Sequence, residues 1–260
     1  MKVYVLNNGW LEYDGNFMMS WSSLTMQRVR GWQSTWTKIP VYAILIDHPA
    51  GKIVYDLSCD PNSMRESWQF GMVPYYRIES QCFWEQLAWT GTKPQDVNIV
   101  ILSHFQSEAE SNLWAFRHTD FYIQQEVRAG KKQPDSLGDD SADGLKKEGE
   151  PKIKTGYLHA ELELIPGVQM VNVYHYGIGL FGIMLHLQKQ GTLLFLQDVI
   201  YFRRYYNPPG KSLGTVYETW MLFDLIRRVQ HFAKQRNARP MFYDSVNFPI
   251  EIEIAPQLYE

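Results

Sequence analysis

The stretch Val100-Ile101-Leu102-Ser103-His104-Phe105-Gln106-Ser107-Glu108-Ala109-Glu110-Ser111-Asn112 decides how this chain is read. The run from Asn98 to Leu102 suits a strand covered on both faces. It ends in Ser-His, and polar residues then follow at alternate positions. Polar groups released at the carboxyl end of such a strand are well placed to build a site.

Working outward, Lys93-Pro94-Gln95-Asp96-Val97 leads into this strand from a helix predicted over Glu79 to Thr90. Cys82, Phe83, Leu87 and Ala88 form its apolar face, and Gly91 is its stop. Further upstream, Ile39 to Asp47 and Lys52 to Asp56 are two strands joined at Pro49-Ala50-Gly51, a hairpin. Val3 to Leu6 is a first strand, with a turn expected at Asn7-Asn8-Gly9. Met18 to Thr37 has no clean period and reads as a long loop carrying Trp21, Trp32 and Trp36. Downstream, Asp120 to Gln124 is a short strand. Residues 129–155 are rich in Gly, Lys, Asp, Ser and Pro and nearly free of apolar side chains. Such a segment cannot offset the entropy of ordering by burial, so it reads as a mobile surface insertion or as a lid. Strands resume over Glu161 to Ile165, Val168 to Val173, Gly182 to Leu187 and Thr192 to Leu196, with a turn at Pro166-Gly167. Val216 to Arg236 is a long helix with Trp220, Phe223, Ile226, Val229 and Phe232 on one face. Pro240 to Asp244 is a final strand and turn. Two strand-rich halves with helices outside them make an α/β protein, here a single domain over 1–260.

Composition narrows the function. Net charge is −3, which gives no electrostatic case for nucleic acid or an anionic membrane. Two cysteines, Cys59 and Cys82, make neither a disulfide framework nor a CxxC metal motif and are expected as buried thiols. No signal peptide and no membrane span is read, so a cytoplasmic location is expected. Aromatic residues reach 15%, which suits a large core with a homodimer interface, or a pocket for an apolar or planar ligand. Trp21, Trp32, Trp36 and Tyr201 are the candidate wall residues of such a pocket.

The opening stretch resembles the Ser-His-x-His-x-Asp-His signature of the metallo-β-lactamase-fold hydrolases, and the chain as a whole is similar to the N-acyl-homoserine lactonases and pyridoxolactonases. Ile39-Pro40-Val41 before the hairpin, Pro166-Gly167-Val168-Gln169 and Asp198-Val199-Ile200-Tyr201 are the further landmarks. The resemblance implies an αβ/βα four-layer sandwich. It also implies that His104 is a metal ligand, that Asp198 bridges two metals and that Tyr201 faces the substrate carbonyl. The departures from the pattern matter as much. Gln106 stands at the second histidine, Glu108 at the aspartate, Ala109 at the last histidine of the motif and Tyr243 at the final ligand histidine. Either His175 or Tyr176 takes the position of the ligand in the family's Gly-His loop. The hairpin ends in Asp56-Leu57-Ser58 where the family has Asp-Thr-Gly.

Zinc and similar ions need imidazole, thiolate or carboxylate ligands at close range. Gln106 is a poor ligand, Ala109 is none, and neutral phenols at Tyr176 and Tyr243 are weak and bulky. A paired-metal hydroxide is therefore not expected. No cofactor is expected, apart from one divalent ion at low occupancy on His104, Glu108 and Asp198. Without metal, Gln106 and the tyrosines would satisfy Glu108 and Asp198 by hydrogen bonds. Three readings follow: a lactonase-like protein binding a small organic ligand, with Gln106 and His175 among its contacts; an enzyme working by acid–base chemistry of His104, Glu108, Asp198, Tyr176, Tyr201 and Tyr243 on a lactone, ester or aromatic carbonyl compound; and an interaction subunit. The enzyme would be a hydrolase, isomerase or lyase but not a dinuclear zinc hydrolase.

Overall fold

The computed structural model describes residues 1–14, 36–61, 73–104, 111–122, 159–175, 178–196, 200, 203–206, 219–242 and 255–260. Period-two alternation builds two sheets from them. The first has β1 (Lys2–Asp14), β2 (Trp36–His48), β3 (Gly51–Tyr55), β4 (Tyr75–Tyr76), β5 (Val97–Ile101) and β6 (Asp120–Tyr122), in the order β4-β1-β2-β3-β5-β6. The second has β7 (His159–Ile165), β8 (Val168–His175), β9 (Ile178–Leu187), β10 (Gly191–Phe195) and β11 (Ala238–Met241), in the order β11-β10-β9-β8-β7. Hairpins pair antiparallel, whereas β3 with β5 and β10 with β11 run parallel. Parallel neighbours need a crossover. Helix α1 (Phe83–Trp89) lies in the first crossover, while α2 (Arg203–Tyr206) and α3 (Thr219–Gln235) lie in the second.

The alternation separates three apolar layers. Val3, Val5, Ile44, Ile46, Ile53 and Tyr55 face Phe181, Ile183, Leu185, Leu193 and Phe195 between the sheets. Their intervening neighbours Leu6, Leu45, Val54 and Val100 pack outward on Phe83, Leu87 and Phe116. Val171, Val173, Met184 and Leu194 pack outward on Leu225, Ile226, Val229 and Phe232 of α3. Two sheets with helices packed against them make the mixed α/β fold that the sequence leads one to expect. The aromatic content divides between these layers and the surface: Tyr55, Phe116, Phe181 and Phe195 are fully buried, whereas Trp36, Trp89 and Trp114 are exposed. No helix among the described residues is long and apolar enough to cross a membrane.

Three local expectations are corrected. Asn7-Asn8-Gly9 is no turn, because β1 runs straight through it. Between the pairs Asn7↔Tyr42 and Trp10↔Pro40, β1 carries one residue more than β2, a bulge. Pro40 has no N–H to offer there. The turn-forming side chains work locally instead: Gly9 N–H donates to Asn7 Oδ1 at 3.2 Å and Asn8 Nδ2 to Leu6 O at 3.1 Å. Buried Gln86 of α1 completes the bulge, accepting from Asn7 N–H at 2.9 Å and donating to Asn7 O.

Second, the helix over Glu79 to Thr90 is broken at Cys82, which is extended (φ −69°, ψ 125°) between a 3₁₀ turn (Glu79–Gln81) and α1. Gln81 caps Ile78 N–H and also donates to Asn7, so contacts with β1 override the helical pattern. Ala88 is exposed, and Gln86 takes its place on the buried face. Third, Trp36 and Thr37 belong to β2, paired with Asp14 and Tyr13, not to the preceding loop. The insertion 129–155 lies outside the described residues. Cys59 is buried and Cys82 half-buried, and neither is in a disulfide.

The bulge makes a sharp stability test. Gly9 has φ +100°, and a Cβ there would stand 2.2 Å from Tyr76 O. Gly9→Ala is expected to lower unfolding stability by about 3 kcal/mol or more, from left-handed strain plus overpacking, read from the denaturant midpoint.

Candidate functional site

The site grows from the carboxyl ends of β3 and β5. Asp56 N–H continues the parallel ladder to Ile101 O at 2.9 Å. Asp56 itself is left-handed (φ 59°), which turns its carboxylate toward the end of β5. Its Oδ1 accepts Ser103 N–H at 2.7 Å and its Oδ2 accepts Ser103 O–H at 2.8 Å. Ser103 Oγ also lies 2.8 Å from His104 Nδ1. Ser103 O accepts Phe181 N–H from β9 at 2.9 Å, and Tyr55 OH donates to Phe181 O at 2.5 Å. Asp56, Ser103 and His104 are all buried, the imidazole included.

The second attachment lies beyond residues 105–110. Asn112 Nδ2 donates to Leu57 O at 2.7 Å. Ser103 and Asn112 are thus both tied to the loop Asp56-Leu57. Strand register collects other chain segments here. Phe195 pairs with Ile183 on one side and Met241 on the other, so β10 and β11 end beside the part of β9 that holds Ser103. The chain passes through Leu196 and Phe242 at this edge, just before Asp198 and Tyr243. His175 pairs with Ile178 at the end of the β8–β9 hairpin. Arg203 sits over the Phe242 ring, 5.6 Å from its centroid, and Tyr206 packs on the same ring at 5.1 Å.

Of the candidate site residues, His104 is placed in full, His175 as a strand position, and Trp36 as the 59% exposed first residue of β2. Gln106, Glu108, Tyr176, Asp198, Tyr201, Tyr243, Trp21 and Trp32 lie outside the described residues. Among the described residues, no three His, Cys, Asp or Glu side chains gather as a metal ion would need. Asp56, Ser103 and Asn112 are site supports that the reading of the sequence did not single out. The signal for them was present: the acidic end of the hairpin and the serine preceding His104. Against Leu11, Val41 and Cys59, burial pushes the Tyr75 phenol well above its ordinary range, with Cys59 adding to the shift.

No family model matches the chain. Known relatives do. The N-acyl homoserine lactonase AiiB of Agrobacterium fabrum is 25% identical over 273 aligned positions, which cover 100% of this chain and 99% of the relative. The structure of an N-acyl homoserine lactone hydrolase, with N-hexanoyl-L-homoserine bound at its catalytic metal centre, superposes with a TM-score of 0.74 at 16% identity, covering 100% of this chain and 98% of that one. AidC, a dizinc quorum-quenching lactonase, superposes with a TM-score of 0.63 at 12% identity, covering 99% and 93%. The fold is therefore that of the metallo-β-lactamases. In sequence, the chain is similar over its whole length to the N-acyl homoserine lactonases.

Two variants test this frame. Ser58 is left-handed (φ 66°) where those hydrolases are expected to carry glycine, so Ser58→Gly should stabilise the chain by roughly 0.5–1 kcal/mol, read as a raised denaturant midpoint. Asp56→Ala strands two buried donors of Ser103 and is expected to cost about 2–4 kcal/mol in the same measurement.

Proposed function

We propose that the chain is a lactonase-like protein that binds a small organic ligand, lactone-like or aromatic, at the edge where His104 ends β5, and that it does so without a paired-metal centre. The observation that carries this reading is a contrast. The frame around His104 is intact, from Asp56 through Ser103 to Phe181. The donors expected beyond it are altered: Gln106 and Ala109 follow in the motif, and Tyr243 stands at the final ligand position. A frame with its first imidazole and two strong carboxylates, Glu108 and Asp198, offers one weak ion site at most. Of the two solved structures named above, one has a catalytic metal centre and the other is a dizinc enzyme. This chain's donor set does not fit such a pair.

A second reading has one observation in its favour, the hydrogen bond that orients the His104 ring. An oriented imidazole beside carboxylates and phenols suits acid–base chemistry on a lactone, ester or aromatic carbonyl compound, with His104, Glu108, Asp198, Tyr176, Tyr201 and Tyr243 as its groups. Under this reading His104→Ala and Asp198→Asn each abolish turnover of a substrate found by screening, and unchanged turnover in both removes it.

The primary reading is tested by two measurements on protein purified without chelator. Elemental analysis is expected to find fewer than two ions per chain, and two tightly bound ions would overturn the proposal. Thermal unfolding is expected to shift upward with lactones or planar aromatics. A ligand at a hundredfold excess over its Kd stabilises by about 2.7 kcal/mol, or roughly 5–10 °C for a chain of this size. No shift across both classes would overturn the binding reading.

A further inference from the structure

The Ser103 hydroxyl stands between two groups that compete for its proton. It lies 2.8 Å from Asp56 Oδ2 and 2.8 Å from His104 Nδ1. As a carboxylate, Asp56 has only acceptor oxygens, and its other oxygen already accepts Ser103 N–H. Turning the hydroxyl toward His104 would leave two oxygens at 2.8 Å with no proton between them. Turning it toward Asp56 makes a charge-assisted bond, roughly twice as strong as a neutral one. The serine oxygen then offers a lone pair, and the proton between it and the ring must sit on Nδ1. One arrangement satisfies all three groups: Asp56 accepts from Ser103, and Ser103 accepts from His104 Nδ1–H.

We propose that Asp56, acting through Ser103, is a positioning residue that holds neutral His104 as its Nδ1–H tautomer, so that Nε2 is the acceptor nitrogen of the site. The role given to Nε2 rests on the reading of His104 as a site residue. The side chains that set it are each at most 6% exposed, so water does not compete for the hydrogen bonds. The consequence is chemical. Neutral His104 takes a proton from a ligand O–H or N–H and does not donate to a carbonyl oxygen.

Long-range proton–nitrogen correlation spectra of the full chain, without ligand and at a pH where the imidazoles are neutral, test this directly. The chain has seven histidines, and loss of one signal set in His104→Gln assigns the ring. Wild type is expected to show a protonated Nδ1 and an unprotonated Nε2. Asp56→Asn keeps the side chain's size and its acceptor for Ser103 N–H, but its amide now donates to Ser103 Oγ. The hydroxyl proton turns to His104, and the two nitrogen signals interchange, as an Asp→Asn change inverts the histidine tautomer in a Ser-His-Asp triad. Ser103→Thr should retain the wild-type pattern and Ser103→Ala should lose it. A wild-type ring protonated on Nε2 overturns the proposal. So does a folded Asp56→Asn variant with the wild-type pattern. Should the variants not fold, the wild-type spectrum alone decides. The spectra need no ligand, so the expected tautomer in a protein that binds nothing would sink the binding reading and leave the positioning role standing.

Discussion

Phe181 locks the two sheets together at one end. Its ring is fully buried in the layer between them, its N–H donates to Ser103 O, and its carbonyl accepts from Tyr55 OH. Apolar packing between sheets is non-directional, so it does not by itself fix how far one sheet slides over the other. Two directional bonds to one residue do. Each contributes about 1 kcal/mol net, but breaking one leaves a buried group unpaired at about 1–3 kcal/mol. Tyr55 and Ser103 lie at the ends of neighbouring parallel strands, so a single residue of β9 registers both.

The site inherits this precision by adjacency. Asp56 follows Tyr55 and His104 follows Ser103, so the two residues that grip β9 are each one step from a site residue. The left-handed turn at Asp56 converts the end of a strand into a carboxylate aimed across the ladder. Asn112 then closes the far end of the following segment onto Leu57. A side chain placed this way is held by backbone on both sheets. A change at Phe181 would therefore reach His104 through Ser103 without touching the imidazole.

The strands were legible because alternation over several residues has one stable solution in a two-sheet protein. Ile44 to Ile46 and Ile183 to Leu185 leave little choice of face. What misled was local chemistry put to tertiary use. Asn7-Asn8-Gly9 carries every mark of a turn, and the same Asn and Gly preferences serve a bulge when Gln86 supplies the missing partners. Cys82 interrupts a helical pattern because Gln81 is bonded to β1. At the site, His104 was legible as the polar end of a buried strand. Asp56 and Ser103 were not singled out, because they meet through the parallel pairing of β3 and β5. Sequence spacing does not encode that pairing, and 47 positions separate the two residues.

The same geometry bears on how a chain can depart from a metal-ligand pattern and keep its fold. A bound ion cross-links the segments that carry its ligands, and where it is the main link, losing ligands costs folding free energy. Here the described segments at this edge are cross-linked by protein groups: Asp56 to Ser103, Ser103 to Phe181, Tyr55 to Phe181 and Asn112 to Leu57. Stability at this edge and occupation by metal are then separate quantities. Under the proposed reading, substitutions at the expected ligand positions would act on chemistry first, because none of these cross-links is made by a residue at those positions.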